Sequence, residues 1–462
     1  MSLMSMISRF RKAEEGAVLP FVGIVSLALI GATGFGIDAA RLMLLHSSLQ
    51  RAIDAGALST VAKLDTATID VELRKFAVAN FNDGEIGGTL DSLTWTISSD
   101  NKTLTVKASA SAPATLMKIL GVQTISTSAE SVIERSTNGL ELALVLDNTG
   151  SMKGTPLTSL KSAANTLVNI LYGDDAVAKN LYVGIVPFSQ SVNVGTSHTS
   201  WMKSGSIAAL DWGSTSTGGS WGGCVEAQAV KADDISDAVP SSKPITPYYW
   251  RDGTDNNWIS VDQNGKKTYV KTLTTSLGPN KNCPAEVTRL TPKKATVVAA
   301  IAAMKAVGNT HINFGAVWGW RMLSPKWRGL WGGDMATYNL PLDYYTKNMN
   351  KAAVIMTDGE NTMSPDVYSA YGWLADKKLG TADKDAAVTE LNDRLSSVCT
   401  AMKNSGIIIY TIAFNGPDET TQKLLSSCAS QNAFYFNSPT TAALQSAFKQ
   451  IADSLSNLRV SK

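Results

Sequence analysis

Histidine, net charge and cysteine are all scarce in this 462-residue chain, and each scarcity argues against a class of function. Only three residues are histidine, His46, His198 and His311, so acid–base catalysis by imidazole has few candidate groups. Charge is nearly balanced, with 41 Lys and Arg against 39 Asp and Glu, so no basic footprint predicts a nucleic-acid partner. Charged residues are only 17% of the chain, which together with many Ser, Thr, Asn and Gly residues suits a domain outside the cytoplasm.

The cysteines are few, and their spacing is informative. The chain has four, Cys224, Cys283, Cys399 and Cys428. None of them has the C-x-x-C spacing of a zinc site or a redox motif. Their even number is compatible with disulfides formed in an oxidising compartment, and buried free thiols are the alternative. Sequence alone leaves the connectivity open, and pairing of neighbours gives Cys224 with Cys283 and Cys399 with Cys428.

One long apolar run lies near the N-terminus. Residues 17–37, AVLPFVGIVSLALIGATGFGI, carry no charge and match the ~20 residues that a helix needs to cross a ~30 Å hydrocarbon layer. Arg9, Arg11 and Lys12 precede the run, which predicts a cytoplasmic segment 1–16 and export of the chain after residue 38. A cleaved signal peptide is the alternative. The run exceeds the ~7–15 residues of a signal-peptide core and no clear A-x-A site follows, which favours an uncleaved anchor.

Helical periodicity continues beyond the apolar run. Apolar residues recur there at three- and four-residue steps, which places them on one helix face: Leu42, Leu45, Leu49, Ile53, Ala57, Val61 and Leu64. This stripe either packs on the chain's own domain or forms a seam between copies. Alternating segments follow, LTWTISS, KTLTVKASAS and TISTSAESVIER, which are typical of half-buried strands. We therefore expect residues 38–136 to form a long helix and a small α+β domain that is similar to pilin-like folds.

Residues 137–462 alternate apolar strands with helices. Strands are expected in LELALVLD, LYVGIVPF, KAAVIMTD, GIIIYTIAF and AFYFN. This alternation predicts a doubly wound, mostly parallel α/β sheet, whose ligand site lies beyond the carboxyl ends of its strands. Two inserts, residues 190–292 and 324–350, interrupt the pattern. The first carries tryptophans that either form a core of the insert or anchor a binding surface: Trp201, Trp212, Trp221, Trp250 and Trp258.

Two aspartates end strands of this predicted sheet, Asp147 in LVLDNTGSMKG and Asp358 in MTDGEN. A strand-ending aspartate followed by spaced hydroxyls occurs in phosphoaspartate enzymes such as the DKTGT pumps and related phosphatases. Those phosphatases place an acid where this chain has Thr149, and the pumps place one where it has Thr362. The pumps also need a bundle of membrane helices, and this chain has one candidate. Because no general acid is in place, we expect the protein not to be an enzyme.

Metal binding is the second chemistry that uses such a motif. The segment GNTHINFGAVWGWRML adds Thr310, in a loop just before a helix. Together the three segments resemble the von Willebrand factor A family, whose metal-ion-dependent adhesion site (MIDAS) combines D-x-S/T-x-S with a threonine and an aspartate from two other loops. The resemblance implies a metal shell of Asp147, Thr149, Ser151, Thr310 and Asp358. Such hard oxygen ligands favour Mg²⁺ or Mn²⁺ over Ca²⁺, and the ion would attract a partner's carboxylate.

An empty site is the alternative, in which the hydroxyls merely cap a helix predicted over residues 156–172. Against it, a buried Asp147 without a charge partner would be costly.

The N-terminal region resembles a second family. The segment RFRKAEEGAVLPFVGIVSLALIGATGFGIDAARLMLLHSSLQRAIDAGALS is similar to TadE/TadG-type N-termini of tight-adherence (Tad, or Flp) pilus systems. The matching positions are Asp38, Arg41, Leu49, Gln50, Ala52, Asp54, Ala55 and Ala57. With the A domain behind it, the chain resembles TadG-like pilus-assembly proteins. That implies a single-pass protein of the bacterial inner membrane with its A domain in the periplasm, binding envelope or pilus proteins. An adhesin at the pilus tip or cell surface that uses the same metal site is the alternative.

Overall fold

A computed structural model describes most of the chain. The described residues are 18–61, 66–81, 87–98, 103–134, 138–214, 216, 218–228, 232–253, 255–270 and 272–459. The expected cytoplasmic segment 1–16, and Leu64 of the predicted stripe, lie outside these residues. The chain divides into two compact units, of which one ends at Thr137 and the other spans Asn138–Arg459.

In the described part of the first unit, a long helix covers an antiparallel sheet. The helices are α1 (Val18–Val61) and α2 (Thr66–Asn80), and the strands are β1 (Thr89–Ile97), β2 (Thr103–Pro113) and β3 (Thr124–Glu134). The central strand β2 pairs with β1 on one side and β3 on the other. Alternation of apolar and polar residues in these strands buries one face of the sheet.

The helix α1 has two parts of different character. Among the described residues it is the one helix long and apolar enough to cross a membrane, and residues 21–30 are exposed throughout. Its second part buries Leu45, Leu49 and Ile53 to 1% exposure or less. These residues join a core with Leu104 and Val106 of β2. From Leu45 to Ile53 the predicted stripe is therefore covered by the chain's own domain, because residues three and four apart share one helix face.

The second unit is a sheet with helices on both faces. Its helices are α3 (Thr155–Tyr172), α4 (Lys294–Ala303), α5 (Ile312–Leu323), α6 (Gly333–Thr337), α7 (Lys384–Asn404), α8 (Glu419–Cys428) and α9 (Thr441–Arg459). Its strands are β4 (Gly139–Asp147), β5 (Leu181–Phe188), β6 (Val192–Asn193), β7 (Cys224–Val225), β8 (Ile259–Val261), β9 (Lys267–Tyr269), β10 (Thr288–Thr291), β11 (Met349–Thr357), β12 (Ile408–Phe414) and β13 (Tyr435–Ser438).

The sheet of this unit is mostly parallel, as the strand pattern predicts. Its order is β13-β12-β11-β4-β5-β6-β7, and the strands from β13 to β5 run parallel. The strand β10 adds an antiparallel pairing to β5. In the register of β4 and β11, Leu146 lies beside Met356. Asp147 and Thr357, the next residues of the two strands, therefore reach the same carboxyl edge.

Every residue of β4 is buried, which explains its nearly continuous apolar run. Leu140, Leu142, Leu144 and Leu146 belong to the core that contains residues of α3 and α9. Ala143 and Val145 belong to the core that contains residues of α5 and α7. Both faces of the sheet are thus covered, as in doubly wound folds.

The tryptophans of the insert 190–292 are core residues and not exposed anchors. The exposed fractions of Trp201, Trp212, Trp221, Trp250 and Trp258 lie between 0% and 9%. The ring of Trp201 also packs against two tryptophans of the second insert, at centroid distances of 5.1 Å to Trp327 and 5.0 Å to Trp331. The two inserts therefore share one aromatic core, which gives the segment 324–350 a structural role that its sequence does not reveal.

The four cysteines form two disulfides, Cys224–Cys283 and Cys399–Cys428, with sequence separations of 59 and 29. The first lies in a small core of the insert with Tyr248 and Trp250. The second joins α7 to the end of α8. Cross-links of this kind restrict the unfolded chain and so stabilise the folded one.

Candidate metal centre

Asp147 lies at the floor of the candidate site, as the last residue of β4. Its side chain is fully buried, and both carboxylate oxygens accept hydrogen bonds. The backbone N–H of Thr149 donates to Oδ1 at 2.7 Å, and the hydroxyl of Thr357 donates to Oδ2 at 2.7 Å. A buried carboxylate needs such donors because its transfer from water is costly. The neighbouring strand β11 supplies one of them, so the sheet itself fixes the position of Asp147.

The other motif residues lead from this floor to the surface. The hydroxyl oxygens of Thr149 and Ser151 lie 2.9 Å apart, and the Ser151 hydroxyl donates to Oδ1 of Asp358 at 2.6 Å. Thr149 is buried, Asp358 is 8% exposed and Ser151 is exposed. Four of the five predicted residues thus form one polar cluster, which is open to solvent at Ser151.

The two hydroxyls are not helix caps. A short 3₁₀ turn over Gly150–Met152 follows Thr149, and the Thr149 side chain makes no capping hydrogen bond to it. The helix α3 begins after Gly154, again without a side-chain cap. Capping would place a side-chain oxygen on the free N–H groups of the first turn. The capping explanation of the motif is therefore wrong.

Thr310 lies in a loop that is fastened to the motif through the backbone. The N–H of Gly150 donates to the carbonyl of Gly308 at 2.8 Å. Thr310 itself is 5% exposed, and its backbone exchanges two hydrogen bonds with Thr362, at 3.0 Å and 2.9 Å. Within the described residues, its hydroxyl makes no hydrogen bond to the other four side chains. The structure brings the Thr310 loop to the site but leaves its hydroxyl without a direct contact there.

Several residues that support the site do not stand out in the sequence. Thr357 and Thr362 are examples, although both stand in the polar stretch that begins at the last residue of β11. Gln190 is another, because its Oε1 accepts from the N–H of Asn309 at 2.6 Å. A β-carbon on Gly308, where φ is +67°, would lie 1.7 Å from that same oxygen. Glycine at this position therefore lets the Thr310 loop approach Gln190.

The two carboxylates of the site disfavour each other's charge. Burial, together with the negative charge of Asp358, raises the pKa of Asp147 to about 7. Burial also raises the pKa of Asp358, and the hydrogen bond from Ser151 opposes that rise. A cation beside both groups would stabilise their charged forms.

The donor set fits a small, hard cation. Two carboxylates and three hydroxyls offer only oxygen ligands, the type that Mg²⁺ and Mn²⁺ prefer. The contacts of 2.6–2.9 Å between Thr149, Ser151 and Asp358 approach the ~3 Å between adjacent oxygens around an octahedral Mg²⁺. No group of three or more His, Cys, Asp or Glu side chains with metal-site geometry occurs among the described residues. A metal at this edge would thus depend on hydroxyls as well as on carboxylates.

The order of the strands and the place of the site define the class of this unit. A central β4 between β5 and β11, an antiparallel β10 beside β5, and a polar cluster at the carboxyl edge form a von Willebrand factor A fold.

The N-terminal segment of the chain matches the model of a known family. Residues 16–63 match the family model described as "Putative Flp pilus-assembly TadE/G-like". This segment is therefore of the TadE/G-like type, as its sequence predicts. No curated protein matches the chain.

Solved structures with a similar fold include the vWF domain of the type V pili tip protein Mfa5 from Porphyromonas gingivalis. It is 12% identical, with a TM-score of 0.35, and the match covers 71% of this chain and 97% of that one. The pilus adhesin SpaC from Lactobacillus rhamnosus GG is 10% identical, with a TM-score of 0.37 and coverage of 81% and 35%. This chain thus spans about a third of SpaC.

A third similar structure is proximal thread matrix protein 1 from the mussel byssus with a zinc-occupied MIDAS motif. It is 11% identical, with a TM-score of 0.31 and coverage of 70% and 47%. At these identities the likeness concerns the fold alone.

Proposed function

We propose that this protein is a membrane-anchored, non-enzymatic component of a bacterial Tad/Flp pilus-assembly machine that binds a protein partner through a metal site in its A domain. The observation that carries the proposal is the connected set of oxygen donors at the carboxyl edge of the sheet, from buried Asp147 to exposed Ser151. The TadE/G-like segment supports the link to pili, since it includes the apolar part of α1.

In this proposal Asp147, Thr149, Ser151, Thr310 and Asp358 would hold Mg²⁺ or Mn²⁺. The bound ion would supply an electrophilic position that a carboxylate of the partner can occupy. The chain's own residues prepare the site: Thr357 and the N–H of Thr149 hold Asp147 in place. Ser151 orients Asp358 at the rim.

We further propose that α1 spans the inner membrane with its N-terminus in the cytoplasm and the A domain in the periplasm. The basic residues before the apolar run support this orientation, because positive charge is retained on the cytoplasmic side. Protease added to intact cells separates this location from that of a surface adhesin. A periplasmic domain is spared until the outer membrane is opened, whereas an adhesin is cut at once.

Metal-dependent capture tests the partner. The full chain with an affinity tag is cross-linked in its own envelope and purified in Mg²⁺ or in chelator, beside Asp358→Asn. Asp385→Asn, at an exposed position on α7, serves as the matched control. We expect the same partner with the wild type and the control in Mg²⁺, and its loss with chelator or with Asp358→Asn. Capture that neither treatment changes would contradict the proposal.

A further inference from the structure

The segment between β2 and β3 lies against the apolar part of α1. We call residues 114–122 the apolar loop. It contains a 3₁₀ turn over Met117–Leu120, and Gly121, where φ is +90°, caps the end of this turn. Three loop residues, Leu116, Met117 and Ile119, line one small cavity together with four residues of the helix: Leu27, Ile30, Gly31 and Gly34. The loop therefore touches a part of α1 that the sequence assigns to the membrane.

Glycine in α1 permits this close approach. A β-carbon at Gly34 would lie 2.8 Å from the β-carbon of Leu116, which is closer than real side chains allow. The loop backbone can lie directly on the helix because that position carries no side chain. The close contact between the loop and α1 therefore depends on glycine at position 34 of the helix.

Asp38 fastens the loop at the end of the uncharged stretch. Its carboxylate accepts hydrogen bonds from three successive backbone N–H groups, those of Thr115 at 2.8 Å, Leu116 at 3.0 Å and Met117 at 2.8 Å. Arg41, one turn further along α1, donates to the carbonyl of Pro113 at 3.0 Å. Backbone groups near lipid need partners within the protein, since hydrocarbon offers none. Asp38 supplies them for the turn that faces the helix.

The depth of the contact follows from the helix rise. At ~1.5 Å per residue, Gly34 lies about 6 Å and Ile30 about 12 Å below Asp38 along the helix axis. The uncharged stretch 17–37 is just long enough to fill a ~30 Å hydrocarbon layer. If α1 spans a membrane, the loop's contact with Ile30 and Gly34 thus lies inside that layer.

The outer side of the apolar loop carries the kinds of side chain that proteins place against a membrane. Ile119 is 66% exposed and Val122 is 37% exposed. Lys118, between Met117 and Ile119, is also exposed, and its long apolar stem can carry the ammonium group to the headgroups. Apolar side chains at this depth would meet acyl chains instead of water.

We propose that the apolar loop is a second membrane-contacting element. It inserts beside α1 into the leaflet on the side to which the chain is exported, and it fixes the depth of the helix in the membrane. Its binding partner is the acyl-chain region of the bilayer. This inference rests on the proposed membrane anchor. Elements that lie in a membrane interface bury their apolar side by ~5–10 Å, which agrees with the position of the contact on α1.

Fluorescence quenching by lipids tests the insertion. The four native cysteines are paired in disulfides, so one introduced cysteine can carry an environment-sensitive fluorophore. The full chain is placed in liposomes whose acyl chains carry a quencher, with the fluorophore at Ile119→Cys. Val132→Cys is the matched control, because Val132 is apolar, 58% exposed and on β3. It lies eight residues beyond Thr124, about 26 Å along the strand.

Leu29→Cys, at a 62% exposed position of α1, reports on the anchor itself. We expect several-fold stronger quenching at Ile119 than at Val132, together with strong quenching at Leu29. Equal, weak quenching at Ile119 and Val132 with strong quenching at Leu29 would overturn the inference and leave the anchor intact. Weak quenching at Leu29 would overturn the anchor, and the inference with it. Circular dichroism of each labelled chain checks that the fold is retained.

Discussion

The hydroxyl of Ser151 donates a 2.6 Å hydrogen bond to Asp358, across 207 residues of sequence. The contact exists because β4 and β11 are neighbours in the sheet, so that the residues after each strand meet at the same edge. It joins the exposed hydroxyl of the segment LVLDNTGSMKG to the carboxylate of the segment MTDGEN. The candidate site therefore depends on the alignment of these two strands as much as on the motif itself.

Thr357 should control metal affinity without being a ligand. Thr357→Val removes the hydroxyl that donates to Oδ2 of Asp147 and keeps the shape of the side chain. Groups that orient metal ligands typically contribute about 10–100-fold to affinity, and we expect a loss of that size for Mn²⁺. Calorimetric titration of the full chain measures it.

Thr411→Val is the control for this variant. Thr411 is also buried, in the neighbouring strand β12, and its hydroxyl donates to the carbonyl of Leu425. Its loss should lower the free energy of unfolding by about 1 kcal/mol and leave Mn²⁺ affinity unchanged. Equal affinities for the two valine variants would show that Thr357 does not position Asp147.

The ion pair between Lys351 and Glu141 should be costly to break from one side. The two residues face each other in β11 and β4 and are 6% and 0% exposed. Lys351→Met leaves Glu141 buried without its cation, which should lower the free energy of unfolding by about 3–5 kcal/mol. Adding Glu141→Gln should restore most of this loss. Chemical denaturation of both variants in detergent tests it, and an equally unstable double variant would contradict the explanation.

His198 should make the protein sensitive to mild acid. Burial beside Trp201 and Trp331, with the positive charge of Arg289 as a second cause, lowers the pKa of His198 from 6.5 to about 4. The unfolded chain therefore binds a proton that the folded chain does not, so the destabilisation due to His198 is absent above pH 6.5 and grows as the pH drops from 6.5 to about 4.

His198→Phe removes this proton uptake and keeps an aromatic ring in the cluster. Between pH 7 and pH 4.5, the unfolding midpoint of the variant should rise relative to that of the wild type as the pH falls. The slope that remains belongs in part to His311, whose pKa is lowered by burial to about 3. Identical slopes for the two proteins would show that His198 titrates normally in the folded state.

Asp38 should hold the apolar loop in place. Asp38→Ala removes the charged acceptor of three backbone hydrogen bonds, so the loop should open more often. In detergent, trypsin should then cut after Lys118 several-fold faster. Asp91→Ala, at an exposed carboxylate of β1, should leave the rate unchanged. An unchanged rate for Asp38→Ala would mean that other contacts hold the loop.

Much of the architecture could be predicted because the relevant patterns are local. The strands β4, β5, β11 and β12 carry long apolar runs because both faces of the sheet are covered. Asp147 is the last residue of β4, and Asp358 directly follows β11. Strand ends of a parallel sheet share one edge, so the meeting of these two carboxylates follows from sequence pattern and chain topology together. The apolar stripe of α1 likewise follows from helical spacing.

Other parts of the molecule depend on contacts between distant segments, which no periodicity reveals. The packing of Trp201 on Trp327 joins two inserts, and either residue alone is equally compatible with an exposed anchor. The support of Asp147 by Thr357 requires the register of β4 and β11. The contact of Asp38 with the apolar loop crosses nearly 80 residues and needs the turn after β2 to fold back onto α1.

Metal binding by the full chain in detergent tests the assignment of the candidate metal site. Calorimetric titration with Mg²⁺ and Mn²⁺ compares the wild type with Asp147→Asn and with Asp175→Asn, an exposed aspartate outside the site. We predict one binding site per chain in the wild type and in Asp175→Asn, and none in Asp147→Asn. Asp147→Asn that binds either ion with wild-type affinity would contradict the assignment of this site.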